Sequence, residues 1–503
     1  MIAPVLSWYF KRRYEEIWTN AGRASNIQSD ILLDLLRMAE KTEYGLQYGF
    51  KGIGSYEQYR RQVPTVKYED IKPYIDRTMA GEQQLLWPTE INWFAQSSGT
   101  AGNTAKYIPL SYESIENIHF KGGRDILTMY SGWYPESKVL EGKGLLIGGS
   151  HKINKENTKS FYGDLSAVLF NHLPFWAMTK STPDKAIALM DNWEEKLLSL
   201  AIHTKSEDVT SISGVPTWTL ALIRKVCEIT GANNIEEVWP NLELFIHGGV
   251  SFDSYRATFN KLITKPDMRY IETYNASEGF FGIQAHPDKK DLLLICDTQV
   301  FYEFYELSKG VDSAIPLWNV QTNINYGVII TTSSGLWRYE LGDTIMFTGI
   351  NPHTFFITGR TKSYINTFGE ELVVENAERA ISETCKKTNS IVSDFTAGPR
   401  SQEMSNPGHE WAIAFETPPQ NMEDFTKILD EELMKTNGDY KAKRQGSIVM
   451  CLPTVHAVAP NTFYEWLKSK NKLGGQHKVP RLTNNRKIIE EVIRIAEQSQ
   501  ANG

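Results

Sequence analysis

The stretch "FAQSSGTAGNTAKYIPLS", Phe94 to Ser111, sets two serines, Gly99, Thr100, Gly102, Asn103, Thr104 and Lys106 between two apolar arms. Small residues let backbone N–H groups close on an anion, hydroxyls add donors, and a lysine adds charge. Ser97, Ser98, Gly99, Thr100 and Lys106 are therefore candidates for holding phosphates. The spacing is not that of a Walker A loop, which needs GxxxxGK[ST] running straight into a helix. Lys106 is followed instead by "YIPLS". Pro109 keeps Ile108 out of the helical region, so the context is strand–loop–strand, with a helix opening at a Ser111 cap. A solvated hairpin loop has the same composition, because Gly, Ser, Thr and Asn form turns.

Three further stretches carry residue types that suit a nucleotide. "HGGV" ends an apolar run with Gly248, Gly249 and Val250, and its glycines let a flat ligand approach the backbone. "YNASEG" offers the aromatic face of Tyr274, the hydroxyl of Ser277 and the carboxylate of Glu278. "RYELGD" presents Asp343 after a glycine, a common way to offer a carboxylate to a ribose diol. Each has a plain alternative: glycines in turns, Tyr274 in the core, Glu278 as a surface charge, Asp343 in a turn.

These stretches need elements to position them. "SDILLDLLRMAEK" (Ser29–Lys41) repeats apolar residues at helical spacing behind a Ser29 cap. "LLIGGS", "LELFIHGGV", "RYIETYNASEG" and "DLLLICD" are short apolar runs ending in Gly or polar residues, and read as core strands with loops at their carboxyl ends. Helical stretches such as Pro183–Ile202 lie between them, so an α/β architecture is expected. In "SISGVPTWTLALI" a helix opens near Pro216. Val215, Trp218 and Leu222 there are candidates for lining an acyl pocket, with ordinary core as the alternative. Beyond Asp343 the pattern changes. A boundary is expected near 359–370, dividing the chain into 1–365 and a smaller α+β domain, 366–503. That domain ends in a helix with Ile488, Ile489, Val492 and Ile493 on one face.

With 503 residues the chain is too long for one ordinary domain. Its net charge of −7 is spread without a basic block, which argues against nucleic-acid binding. An anionic ligand would therefore need a local cluster of donors. Cys227, Cys296, Cys385 and Cys451 are far apart, so neither a disulfide framework nor a zinc site is suggested. No apolar run approaches the roughly 20 residues that span a bilayer, and the basic residues near the N-terminus follow its short apolar run, the reverse of a secretory signal. A cytoplasmic protein without membrane contacts is expected, as a monomer or weak dimer.

In this order the four stretches resemble the motifs of the adenylate-forming superfamily. Within it they resemble the Gretchen Hagen family of acyl-acid amido synthetases, in its bacterial-type form. Ser97-Ser98-Gly99-Thr100 with Lys106 and Pro109 matches the first motif. Tyr274-Asn275-Ala276-Ser277-Glu278 matches the second, and Arg338-Tyr339-Glu340-Leu341-Gly342-Asp343 the third. Gln476-His477-Lys478-Val479-Pro480-Arg481 resembles a fourth, near the C-terminus. Glu340 stands where plant members usually carry Arg, and His477 replaces Tyr.

The resemblance implies a large N-terminal adenylate-forming domain and a small mobile C-terminal one, with ATP and Mg²⁺ as cofactors. It implies that Ser97–Thr100 and Lys106 hold the β- and γ-phosphates and that Glu278 holds Mg²⁺. Ser277 would contact the α-phosphate, within the segment Tyr274–Ser277 that borders the nucleotide. Tyr274 would pack on adenine beside Gly248, Gly249 and Val250. Asp343 would hold the ribose hydroxyls, with Tyr339 and Arg360 also at the nucleotide. Lys478 would reach the α-phosphate when the small domain swings about a hinge near Arg360–Gly369. The implied activity joins a small carboxylic acid to an amino acid through an acyl-adenylate. A thiol acceptor, as in an acyl-CoA synthetase, and a non-catalytic nucleotide-binding regulator are the alternatives.

Overall fold

The computed structural model describes residues 2–97, 106–148, 151–153, 159–190, 192–249, 252–360, 364–365, 372–400, 408–444, 450–470, 472–473, 478–483 and 486–501. The chain divides into two compact units: Met1–Gly99, Thr104–Gly249 and Lys265–Phe356 form the first, and Thr100–Asn103, Val250–Thr264 and Ile357–Gly503 the second.

The first unit is built on a twelve-stranded sheet. Its parallel part runs Ser181–Thr182, Lys143–Leu146, Val209–Ser213, Leu244–Gly248, Arg269–Ala276. Leu145, Ile212, Phe245 and Ile271 are buried there. A parallel strand covered on both faces reads as a continuous apolar run, which is how these segments stood out. From Gly279–Gln284 onward the sheet turns antiparallel, through Leu292–Leu294, His353–Arg360, Tyr339–Ile350, Asn325–Thr332 and Val300–Glu306. The α/β architecture is the expected one.

A separate four-stranded sheet holds the hairpin of Trp93–Ser97 and Lys106–Leu110. Ser97 faces Lys106 as the last pair, so Lys106 stands at the mouth of the loop. Ser111 caps the following helical turn, its hydroxyl accepting the Ser114 N–H at 3.0 Å. The two expected strands are therefore observed, and residues 98–105 between them lie outside the described residues.

Two helices differ from expectation. The first runs Ala24–Ala39, so Ser29 lies inside it rather than capping it. The second, expected over Pro183–Ile202, is two helices, Lys185–Ala188 and Trp193–Thr204. Asn192 interrupts them by capping the second, accepting the N–H groups of Glu194 and Glu195. The helix opening at Pro216 is present and runs to Thr230. Among the described residues no helix is long and apolar enough to cross a membrane.

One buried ion pair organises the antiparallel half. Arg338 is 4% exposed and Glu303 1%. The Arg338 Nε donates to Glu303 Oε2 at 2.9 Å and its Nη2 to Oε1 at 2.8 Å. Its Nη1 donates to the carbonyls of Arg60 (3.0 Å) and Val63 (2.8 Å). The Tyr56 hydroxyl donates to Glu303 Oε1 at 3.0 Å. Arg338 has φ +45°, a left-handed conformation that a non-glycine residue adopts only when its surroundings over-determine it. Removing one partner of a buried pair leaves an uncompensated charge. Arg338→Met is therefore expected to destabilise the first unit by about 3–5 kcal/mol, whereas Arg338→Met with Glu303→Leu loses much less. Denaturant unfolding of both variants, followed by tryptophan fluorescence, reads the difference.

The second unit packs helices Val374–Thr388, Met422–Thr436 and Lys487–Ala501 with a three-stranded sheet, Ile391–Pro399, His409–Thr417 and Thr454–Val458. Phe395, Trp411, Ile413, Phe425 and Leu429 form its core. Ile489 and Val492 of the last helix are buried, as the apolar stripe predicts. Helix Asp253–Leu262 also belongs to this unit, with the Tyr255 hydroxyl accepting from Arg481 Nη2 at 3.1 Å. Nothing in the sequence pattern signals that assignment.

Candidate functional site

The parallel strand Arg269–Ala276 turns into Gly279–Gln284 through two residues, Ser277 and Glu278. Tyr274, Asn275 and Ala276 are thus the last residues of a strand at its carboxyl end, where open α/β sheets bind ligands. Ser277 is buried and Glu278 half-buried at the hairpin tip. Gly248 ends the neighbouring strand opposite Thr273. A Cβ at Gly248 would lie 2.5 Å from the Thr273 carbonyl oxygen, so the close approach made there is to the neighbouring strand. Gly249 is exposed just beyond.

Tyr274 reaches Asp343. Its hydroxyl donates to Asp343 Oδ2 at 2.6 Å, joining two motifs 69 positions apart. Tyr274 is 7% exposed, and Phe281 meets its ring edge-on at 4.9 Å. Asp343 owes its direction to a bulge. Ile329 pairs with Glu340 and Gly327 with Thr344, so Leu341, Gly342 and Asp343 stand against Val328 alone. Extra residues of this kind bend a strand and re-aim its side chains. Gly342 has φ +86°, which a side chain would resist. The glycine before the aspartate is therefore required by the bulge that presents the carboxylate.

The same strand reaches Lys106, the first residue of Lys106–Leu110. Lys106 Nζ lies 3.4 Å from the Tyr339 hydroxyl. Tyr339 is fully buried. Burial first, and then the nearby Glu278 carboxylate, pushes its phenol well above the ordinary value of 10.0. Lys106 and Tyr339 are thus brought together, as are Tyr274 and Asp343, and both contacts use the strand Tyr339–Ile350. Burial raises the Tyr305 phenol to about 12, and the charge of Glu340, the motif's neighbour of Tyr339, adds to that.

Ser98, Gly99, Thr100 and Val250 lie outside the described residues, as do the Ser97 side chain, Gln476 and His477. Val215 is half-buried at the N-cap of its helix, Leu222 is fully buried, and Trp218 packs against Trp193 with ring centroids 4.5 Å apart. Arg360 and Lys478 belong to the second unit. Arg360 is exposed at the end of His353–Arg360, and Lys478 is half-buried just ahead of a pinned segment. There Thr396 Oγ1 donates to the Pro480 carbonyl at 2.7 Å and the Ala397 N–H to the Arg481 carbonyl at 2.8 Å. The Arg481 guanidinium pairs with Asp394 and stacks 4.6 Å from the Phe395 ring centre.

Among the described residues no cluster of three or more His, Cys, Asp or Glu side chains is placed to hold a metal. A magnesium ion held by one carboxylate together with substrate phosphates needs no such cluster, and Glu278, half-buried at the hairpin tip, is a carboxylate of the kind that mode uses.

Comparison with known proteins is consistent along the whole chain. Models of the GH3 family match it as the GH3 family N-terminal domain over residues 13–268, the central domain over 293–360 and the C-terminal domain over 375–487. The chain is 23% identical to the 4-substituted benzoates-glutamate ligase GH3.12 of Arabidopsis thaliana, covering 96% of each protein. It is 24% identical to the indole-3-acetic acid-amido synthetase GH3.15 of the same plant, covering 96% of this chain and 93% of that one. The solved structure of GH3.15, an acyl acid amido synthetase in complex with 2,4-DB, superposes with a TM-score of 0.79 at 18% identity, over 97% and 96% of the chains. A 2-hydroxyisobutyryl-CoA ligase in complex with 2-HIB-AMP shares the fold with a TM-score of 0.62 at 12% identity, over 95% and 92%.

Proposed function

The chain belongs to the GH3 family, and from that premise we propose that it is an ATP-dependent acyl-acid amido synthetase. Its relatives in the family are amido synthetases and acid–amino acid ligases. The supporting observation is the strand Tyr339–Ile350, which brings Tyr339 to Lys106 and Asp343 to Tyr274.

A carboxylate resists attack by an amine because its leaving group is poor. Attack of the acid's oxygen on the α-phosphorus of ATP forms the acyl-adenylate and expels pyrophosphate. The amine of an amino acid then attacks the acyl carbon, and AMP leaves. The first step asks the protein for positioning and charge neutralisation rather than covalent help. In this reading Lys106 and the Ser97–Thr100 loop grip the β- and γ-phosphates, and Ser277 contacts the α-phosphate. Tyr274 borders adenine beside Gly248, Gly249 and Val250, and orients Asp343 toward the ribose hydroxyls. Glu278 holds Mg²⁺, which supplies positive charge where negative charge develops. Val215, Trp218 and Leu222 line the acyl pocket. Lys478 of the 366–503 domain would reach the α-phosphate by a turn about the expected hinge, of which 361–363 and 366–369 lie outside the described residues. Product analysis separates the acceptors. Incubation of ATP and an acid panel with amino acids or with coenzyme A, followed by mass spectrometry, should yield amides. Thioesters alone would move the chain to the acyl-CoA ligases.

The ribose assignment has its own test. Asp343→Ala removes a charged hydrogen-bond acceptor worth about 1.5–3 kcal/mol, so ATP binding should weaken about tenfold or more. Calorimetry should show wild-type protein preferring ATP over 2′-deoxy-ATP and the variant binding both alike. Equal discrimination by both proteins contradicts the role.

A further inference from the structure

Lys106 is held by more than the Tyr339 hydroxyl. Its Nζ lies 5.4 Å from the ring centre of Tyr68 and 5.9 Å from that of Tyr339. Both rings are buried. The Tyr68 hydroxyl accepts the N–H of Tyr107, the residue next to Lys106, at 2.9 Å. Among the described residues no carboxylate forms an ion pair with Lys106.

The two rings reach the lysine by one route. Arg338 Nη1 fixes the Val63 carbonyl. Val66 then pairs with Tyr339 in an isolated parallel bridge: the Val66 N–H donates to the Arg338 carbonyl at 3.0 Å, and the Glu340 N–H to the Val66 carbonyl at 2.9 Å. Tyr68 follows two residues later, at the start of helix Tyr68–Met79. The segment from Val63 to Tyr68 is therefore tied to Arg338–Glu340, which brings Tyr68 and Tyr339 together at Lys106.

We propose that Tyr68 and Tyr339 form an aromatic seat that positions the Lys106 ammonium for a polyphosphate, and that Arg338 clamps the segment that completes the seat. The inference rests on the phosphate role proposed for Lys106. A lysine side chain has four flexible bonds, and ordering them on binding weakens affinity. Aromatic faces attract the ammonium through their quadrupole without neutralising it. A carboxylate partner would hold it equally still, yet would compete with the phosphate. In a chain of net charge −7 an uncompensated cation is what draws an anion to this place. Tyr68 is accordingly a positioning residue that acts through Lys106.

A double-mutant cycle on ATP affinity, measured by calorimetry, tests this. Lys106→Ala should weaken ATP binding about tenfold or more, and Tyr68→Leu about three- to tenfold, the scale of a cation–π contact. The double variant should be no weaker than Lys106→Ala alone, because Tyr68 has nothing left to act on. Tyr68→Phe, which keeps the ring, should recover most of the affinity, and Tyr68→Met can replace Tyr68→Leu if that variant folds poorly. A structural role for Tyr68 would not depend on Lys106. Losses that multiply in the double variant, or a failure of Tyr68→Phe to recover, overturn the seat while leaving the phosphate role of Lys106 intact. Unchanged ATP affinity in Lys106→Ala removes the phosphate role and the seat with it.

Discussion

Replacing Lys478 by alanine is expected to slow acyl-adenylate formation by about 10²–10³-fold, or about 2.7–4 kcal/mol, the scale for removing one preorganised donor from a developing charge. Conversion of pre-formed acyl-adenylate to amide should continue near its normal rate. The lysine stands just ahead of a segment pinned to the edge of the Ile391–Pro399 strand through Pro480, Arg481 and Thr483. Buried Arg481 anchors that segment through Asp394 and Phe395. In the proposed function the charge of Lys478 is delivered by the small domain and acts in adenylation alone. A charge delivered in one conformation should matter for one half-reaction. Single-turnover measurements separate the two. Equal losses in both would indicate general damage, and no loss in either would return Lys478 to an ordinary surface position.

Glu278→Gln should lower adenylation by about 10²-fold, which is about 2.7 kcal/mol at 1.36 kcal/mol per decade. The change is nearly isosteric and removes one negative charge from a half-buried hairpin tip. Folding should be little affected, because glutamine keeps the size of the side chain and its capacity to hydrogen-bond. The Glu278 charge also adds, behind burial, to what raises the Tyr339 phenol. Raising Mg²⁺ should restore part of the rate if the ion is held more weakly. A folded Glu278→Gln protein that adenylates at the wild-type rate would remove the magnesium assignment.

The sequence showed the ingredients of this site better than their arrangement. Pro109 and the Ser111 cap were enough to read the loop as strand–loop–strand, since both act locally. The contact between Tyr274 and Asp343 was not legible. It depends on a bulge whose extra residues can be counted only against the partner strand. Arg338 stood inside a recognised motif, yet its partner Glu303 lies 35 positions away in a run that reads as an apolar strand. Tyr68 carried no signal, because a tyrosine opening a helix is ordinary. The early start of helix Ala24–Ala39 has a similar cause. Gln28 is buried although polar, its amide donating to the carbonyls of Cys296 and Val300 and accepting the Tyr302 N–H. A pattern of apolar residues therefore stops at Ser29 while the helix continues. Tertiary hydrogen bonds of this kind are invisible to periodicity.

The central claim is that this chain activates a carboxylic acid with ATP. Exchange of labelled pyrophosphate into ATP tests it most directly, because exchange requires reversible acyl-adenylate formation and no acceptor amine. With Mg-ATP and a panel of aromatic and aliphatic acids, wild-type protein should show exchange that depends on the acid, and Glu278→Gln and Lys478→Ala should each lose about 10²-fold or more of it. Absence of exchange across the panel, in protein that still binds ATP, would contradict the account and favour a nucleotide-binding regulator on the same scaffold.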